Sequence, residues 1–146
     1  MSAGNAPPAQ DLIHATTVEV NGRGALIRGA SGQGKSGLAL QLLALGAGLV
    51  ADDRTKIWRD GAQVMADAPD SIRGRIEARG MGILAAPDTG PVPLAVIVDL
   101  DHEENDRLPP WRVDRIHDVD LPVIRKTTAP HFPAAIMAYL RACRLE

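Results

Sequence analysis

The sequence predicts an α/β domain with a strand-rich mixed sheet around a phosphate-binding loop, and with few helices. Many short apolar segments are separated by turn signals, among them the hairpin dipeptides Asn21-Gly22 and Asp60-Gly61. Only residues 38–45 and 134–144 have helical composition or spacing. The regular alternation of strands and helices that marks a doubly wound sheet does not occur.

The loop is the run Gly29-Ala30-Ser31-Gly32-Gln33-Gly34-Lys35-Ser36, which fits the pattern G-x-x-x-x-G-K-[ST]. Its glycines let consecutive main-chain N–H groups point into one concavity, and a helix starting there attracts anions. The pattern requires a strand before it and a helix after it, and residues 25–28 and 38–45 supply both. We therefore expect these eight residues to bind nucleotide phosphates, with Lys35 at the terminal phosphates and Ser36 on Mg²⁺.

The first half of the chain adds strands on either side of this loop. Residues 13–20 form a strand that Asn21-Gly22 turns back into 25–28, so two antiparallel strands lead into the loop. After the first helix, which ends before Gly46, the predicted elements are a short strand at 49–51, a hairpin of 56–58 with 63–65, and one helical turn at 69–71 within the turn-rich segment 68–80.

The second half contains the longest apolar run, residues 94–98, which predicts a central strand buried on both faces. The other predicted features are a charged surface loop at 102–108, weaker strands at 113–116 and 122–124, and a helix over 134–144 capped by Thr127 or Thr128. His102, His117 and His131 lack ligand spacing and are expected at the surface.

Composition limits the classes of function. The 146 residues suit one domain, expected at 12–146 after a small, polar, disordered leader at 1–11. The net charge is −2 with both signs mixed, which gives no basic footprint for nucleic acid and no polybasic membrane patch. The single cysteine, Cys143, suits a reducing cytosol, and no signal peptide or membrane span is visible, so we expect a cytoplasmic protein.

Two apolar strands end in carboxylates that could serve a metal or a proton transfer. Asp52 and Asp53 follow residues 49–51, whereas Asp99 and Asp101 close the central strand. In an ordinary phosphate-loop enzyme, Asp99 would be the natural metal candidate. The adjacent pair can instead divide two tasks, with one acid supporting the metal and the other accepting a proton. The residues alone leave both arrangements open.

Four features in order carry a resemblance to a known family. They are His14, the phosphate loop, Ala51-Asp52-Asp53, and Ile76-Glu77-Ala78-Arg79-Gly80-Met81-Gly82-Ile83. Over roughly residues 12–100 the chain resembles the catalytic domain of HPr kinase/phosphorylase, the bacterial enzyme that acts on a serine of the phosphocarrier HPr. It is similar to a short form without the family's N-terminal domain. The resemblance implies a fold like that of phosphoenolpyruvate carboxykinase.

The resemblance also implies roles for particular residues. The implied catalytic residues are Asp53, as the base for the acceptor serine, with Asp52, His14, Lys35 and Arg79. The implied Mg²⁺ ligands are Ser36, Glu77 and Asp52. The implied activity is that of an ATP-dependent protein serine kinase acting on HPr or an HPr-like phosphocarrier, with the reverse reaction left open. A homo-oligomer, a hexamer in the family, is also implied.

Two other functions stay open at this point. The segment 85–91 is short where longer members have an extended loop, and the match after Leu121 is poor. A nucleotide-binding regulatory module that controls a signalling partner, with weak or no catalysis, would fit those departures. A small-molecule kinase or general nucleotidase with Asp99 at the metal is the third reading.

Overall fold

The computed structural model describes residues 10–146. Its strands are β1 (Gln10–Ile13), β2 (Ala15–Val20), β3 (Arg23–Arg28), β4 (Gly48–Ala51), β5 (Thr55–Asp60), β6 (Gln63–Asp67), β7 (Arg75–Ala78), β8 (Gly82–Ala85), β9 (Val92–Glu103), β10 (Arg112–Ile116) and β11 (Val119–Lys126). Its helices are α1 (Lys35–Ala44), α2 (Phe132–Arg141) and one 3₁₀ turn, Asp70–Ile72.

The strands form a mixed sheet of nine, and β7 and β8 form a separate hairpin. The main path runs β1-β5-β6-β9-β3-β2-β4, and β11 joins it through β9 and carries β10. The strand β9 is parallel to β3 and β11 but antiparallel to β6. The predicted strand-rich mixed α/β class is therefore confirmed, as is the antiparallel hairpin of β2 and β3 that leads into the loop.

Alternating side chains of the central strands serve two separate cores. Ile27 of β3 and Val98 of β9 face the layer that contains α1 and α2, where Leu42 and Ile136 are buried. The neighbouring residues Leu26 and Ile97 instead join the core beneath β5, β6 and β11. This two-residue period buries both faces of β9, as the apolar run predicted. The carboxyl ends of β3 and β9 are thereby held rigidly side by side, next to the loop.

The structure corrects two predicted strand boundaries. The predicted strand 13–20 is two strands, because the chain breaks at His14 and β1 pairs with β5 while β2 pairs with β3 and β4. The strand β9 continues to Glu103, so His102 and Glu103 do not belong to a surface loop. Polar residues obscured this continuation, because the strand has passed beyond the fully buried core there.

Three further local predictions were incomplete or wrong. The turn-rich segment 68–80 contains the strand β7, which pairs with β8. The second helix begins at Phe132 with His131 as N-cap residue and no side-chain cap, so neither Thr127 nor Thr128 caps it. His117 is only partly at the surface, because its side chain is 18% exposed, and its Nε2 lies 2.8 Å from Asp11 Oδ2.

The expected leader, residues 1–11, lies outside the described residues except for Gln10 and Asp11, which belong to β1. Within residues 10–146, no helix has the length and apolar content to span a bilayer.

Candidate active site

The loop of residues 29–34 leaves β3 at Arg28 and enters α1 at Lys35. Gly32 and Gly34 have φ of 89° and 94°, a conformation that a side chain disfavours. No side chain in the described part of the chain caps the start of α1, which leaves its first N–H groups without a side-chain partner. Lys35 Nζ is buried beside them and donates to the carbonyl of Gly29 at 2.7 Å. The loop thus combines main-chain donors with a fixed positive charge.

Asp52 connects three separate segments of the chain. Its Oδ1 accepts hydrogen bonds from Ser36 Oγ at 2.6 Å and from Thr16 Oγ1 at 3.1 Å. Its Oδ2 accepts from the main-chain N–H of Glu77 at 2.9 Å. The side chain is almost fully buried, so these neutral donors replace the water that the carboxylate loses. Asp52 therefore ties α1, β2 and β7 together behind the loop.

Asp53 has a different environment from its neighbour. Its backbone adopts a left-handed φ of 67°, and its main-chain N–H donates to Thr16 Oγ1 at 3.0 Å. Its carboxylate is 55% exposed, and Oδ2 lies 3.4 Å from Nε2 of His14. Unlike Asp52, Asp53 therefore keeps accessible oxygens that can accept a proton from a bound molecule.

The hairpin of β7 and β8 brings Glu77 and Arg79 to the same place. Ile76 and Ala78 are buried, so Glu77 points outward by strand alternation, and Arg79 is exposed in the turn that follows β7. The segment before β7 is clamped by Arg73, whose two terminal nitrogens reach the two oxygens of Asp67 at 2.8 and 3.0 Å. This pairing connects the segment before β7 to the end of β6.

The clamp changes the ionisation of Asp67. Burial by itself raises the pKa of this carboxyl, but the hydrogen bonds from Arg73 and the Ala68 amide, together with the charge of Arg73, lower it below its ordinary value overall. The ionised carboxylate is therefore the form that the folded chain favours.

Two cavities meet at Asp53 and Glu77. The first, about 300 Å³, lies on the loop and is lined by Ser31, Gly32, Gly34, Lys35, Ser36, Gly37, Leu40, Asp53, Glu77 and Arg79. The second, about 420 Å³, is lined by Asp52, Asp53, Arg54, Ser71, Ile72, Arg75, Glu77 and Ile83. Asp53 and Glu77 thus line both cavities.

Several predicted site residues do not line the loop cavity. Gly29 and Ala30 turn their carbonyls to Lys35, and the Ala30 N–H donates to Asp101 Oδ1 at 2.9 Å. Gln33 closes a turn with Ala30. His14 contacts the site through Asp53 and otherwise lines a separate cleft beside Arg28. Gly29, Ala30 and Gln33 thus shape the loop through main-chain contacts without lining its cavity.

The alternative acid, Asp99, is occupied elsewhere. It lies 2.8 Å from Nδ1 of His102 and 3.8 Å from Arg28, and it accepts the N–H of Asp101. Burial raises the pKa of its carboxyl, but the bonds from His102 and the Asp101 amide outweigh that effect and lower it. Asp99 lines neither of the two joined cavities.

The oxygen atoms at the loop suit a magnesium ion bound together with phosphate. No group of three or more His, Cys, Asp or Glu side chains that could hold a metal occurs among residues 10–146. Mg²⁺ commonly takes only one or two carboxylates and completes its shell with water and phosphate oxygens. Ser36 and Glu77, which both line the loop cavity, offer such a partial set. Asp52 contacts Ser36, but both of its oxygens already accept bonds from the protein.

The sequence analysis did not assign Thr16 to the site, and it did not predict the contact of Asp101 with the loop. Thr16 bonds to both Asp52 and Asp53, and Asp101 holds the second loop residue. A threonine in a strand gives no signal by itself, because its partners, Asp52 and Asp53, lie more than thirty residues away in the sequence. The contact of Asp101 with the loop could have been found from the parallel pairing of β3 with β9, which brings their carboxyl ends together.

The chain is similar to known proteins along much of its length. The model of the HPr Serine kinase C-terminal domain family matches residues 8–89. An HPr kinase/phosphorylase of Lactobacillus acidophilus is 45% identical over 76 residues, 51% of this chain and 24% of that protein. One of Enterococcus faecalis is 35% identical over 130 residues, 77% of this chain and 40% of that protein. The chain thus spans less than half the length of these curated relatives.

A solved structure, the Hpr(Ser) kinase/phosphatase from Coxiella burnetii, has the same fold. It superposes with a TM-score of 0.70 and 21% sequence identity, covering 90% of this chain and 94% of that one. The part of the chain that matches the family model includes His14, the phosphate loop, Asp52, Asp53 and the hairpin of β7 and β8. Because that range is more than half of the sequence, the chain belongs to the HPr serine kinase C-terminal domain family.

Proposed function

We propose that this chain is an ATP-dependent protein serine kinase that phosphorylates HPr or an HPr-like phosphocarrier. The observation that carries the proposal is the pair of cavities that meet at Asp53 and Glu77. A phosphoryl donor bound in the loop cavity and a hydroxyl bound in the second cavity would then meet at the exposed carboxylate of Asp53. Membership of the family supports the same reaction class.

The loop cavity is the proposed donor side. The N–H groups around Gly32 and Gly34 and the start of α1 would bind the ATP phosphates, and Lys35 would turn from the Gly29 carbonyl toward the terminal ones. Ser36 and Glu77 would hold Mg²⁺, with Asp52 orienting Ser36 from behind. Bound there, Mg²⁺ would offset the negative charge of the transferring phosphoryl group.

The second cavity is the proposed acceptor side. Asp53 would accept the proton of the serine hydroxyl while that oxygen forms its bond to the terminal phosphorus and the bond to ADP breaks. His14 would keep the Asp53 carboxylate turned toward the junction, and Arg79 would balance the charge of the transferring group. In the reverse reaction, inorganic phosphate would take the phosphoryl group and Asp53 would return the proton to serine.

The decisive experiment incubates the purified chain with labelled ATP, Mg²⁺ and the host's own HPr-like proteins, and then maps the modified residue. We expect one labelled serine, and loss of labelling in Asp53→Asn. Asp60→Asn, which changes an exposed acid at the end of β5, is the matched control and should retain activity. Consumption of ATP without labelling of any protein, retained in Asp53→Asn but lost in Asp99→Asn, would instead support the small-molecule kinase or nucleotidase reading.

A regulatory module is the second candidate, and the same sample distinguishes it. The family match ends at residue 89, and beyond it a groove of about 310 Å³ lies between α2 and the segment 104–112. A partner surface there would suit a nucleotide sensor. Tight binding of Mg-ATP with no transfer to any HPr-like protein would favour this candidate over the kinase.

Two further properties complete the proposal. A cytoplasmic location fits an enzyme that uses ATP and carries an unpaired, exposed cysteine, Cys143. A homo-oligomer would cover exposed apolar side chains such as Leu108, Trp111 and Val113. Light scattering of the purified chain measures the oligomeric state, and cell fractionation measures the location.

A further inference from the structure

Thr16 occupies a central position that none of the implied catalytic roles includes. It lies on β2, directly opposite Ile27 of β3, and its side chain is fully buried. Its hydroxyl lies between the two neighbouring acids, 3.1 Å from Asp52 Oδ1 and 3.0 Å from the main-chain nitrogen of Asp53.

The two contacts use both capacities of one hydroxyl group. Thr16 has one proton, which it donates to Asp52, and it accepts the N–H of Asp53 with a lone pair. Because the threonine side chain is branched at Cβ, few rotamers compete with this one. The direction of both hydrogen bonds is therefore fixed by the strand to which Thr16 belongs.

This hydroxyl stabilises an uncommon backbone conformation. Asp53 has a φ of 67°, which residues other than glycine seldom adopt. The turn at this position also contains a main-chain hydrogen bond from the N–H of Arg54 to the carbonyl of Asp52, at 2.8 Å. The same short segment of chain also provides His14, whose ring faces the Asp53 carboxylate. Residues 14–16 thus hold Asp53 at both its main chain and its side chain.

We infer that Thr16 is a positioning residue, which places Asp53 for proton transfer and Asp52 for orienting Ser36. The inference rests on the proposed function. Loss of the hydroxyl leaves the loop and Lys35 in place, so nucleotide binding should change little while the transfer step slows. Because a displacement of about 1 Å can cost about 100-fold in rate, we expect kcat to fall about 10- to 100-fold in Thr16→Val.

The test compares variants that differ only in the hydroxyl. Thr16→Val removes the hydroxyl and preserves the side-chain volume. If valine prevents folding, Thr16→Ser and Thr16→Ala give a second comparison, because both lack the methyl group and only serine keeps the hydroxyl. The matched control is Thr17→Val, which removes an equally buried hydroxyl bonded only to Thr55. For each variant, kcat, KM for ATP, the Kd of Mg-ADP and thermal unfolding are measured.

The expected pattern is a low kcat in Thr16→Val and Thr16→Ala, near-normal kcat in Thr16→Ser and Thr17→Val, and a Kd for Mg-ADP within about threefold of wild type throughout. A kcat within threefold of wild type in Thr16→Val or Thr16→Ala overturns the inference, as does an equal loss in Thr17→Val or in Thr16→Ser. A wild-type chain that transfers nothing overturns the proposed function first, and the role of Thr16 with it.

Discussion

The division of labour between the two adjacent acids gives the sharpest prediction. Replacing Asp52 by alanine removes the acceptor of three hydrogen bonds, from Ser36, Thr16 and the main chain of Glu77. A bond to a charged group contributes roughly 1.5–3 kcal/mol, and such bonds are not additive. We therefore expect the free energy of unfolding to fall by about 3–5 kcal/mol in Asp52→Ala.

Asp52→Asn should fall between wild type and alanine. The amide oxygen can still accept the N–H of Glu77, which cannot reorient, and the hydroxyls of Ser36 and Thr16 can turn to accept from the amide nitrogen. We expect a loss of about 1–2 kcal/mol, since geometry is retained but the charge is not.

Asp53→Asn is the comparison that separates stability from chemistry. Its side chain is exposed and makes one contact, with His14, and asparagine tolerates the left-handed backbone that Asp53 adopts. Its unfolding free energy should therefore stay within about 0.5 kcal/mol of wild type. Transfer to the acceptor should nevertheless fall by about 10²- to 10⁴-fold, the usual contribution of a general base.

The assay is equilibrium unfolding in urea, followed by circular dichroism and tryptophan fluorescence, with phosphotransfer measured on the same preparations. An unchanged m-value shows that each difference reflects stability. The reasoning would be refuted by a loss of less than about 1 kcal/mol in Asp52→Ala, because three hydrogen bonds to a buried carboxylate could not then be present. An equal loss of stability in Asp53→Asn would refute the division of roles.

Three other predictions address the loop, the metal and acid stability. Lys35→Met keeps the buried volume but removes the charge, so calorimetry should find nucleotide binding weakened at least about tenfold, and an unchanged Kd would contradict the phosphate role. Glu77→Gln keeps the main-chain bond to Asp52, so it should reduce only the gain in ADP affinity that Mg²⁺ provides, and titrations with and without Mg²⁺ test this. Because the folded pKa of Asp67 is lowered, its pairing with Arg73 stabilises the chain above the unfolded pKa of about 3.9 and is lost as pH falls through the folded value. Unfolding measured between about pH 5 and 2 should thus depend less on pH in Arg73→Gln than in wild type, whereas Arg115→Gln, from an exposed ion pair, should match wild type.

The fold class followed from local features because each of them acts over a few residues. Asn21-Gly22 and Asp60-Gly61 both form hairpin turns, and Asn21, Gly22 and Gly61 all have positive φ. The apolar run 94–98 became the centre of β9 because strands covered on both faces lack alternation. In contrast, β7 was not predicted, because four residues with Ile76 as their one large apolar side chain resemble a turn until β8 pairs with them.

The chain by itself determined the motif residues and their order, because a loop of glycines followed by lysine and serine works through main-chain geometry that only such residues permit. Tertiary structure decided the different environments of the two acids. Asp52 and Asp53 are adjacent in sequence and chemically identical, yet one is buried under three donors and the other is exposed between two cavities. That difference arises from the pairing of β2 with β4 and from the hairpin of β7 and β8, which bring Thr16 and Glu77 to the end of β4. Contacts across such distances depend on strand register, which no local pattern specifies.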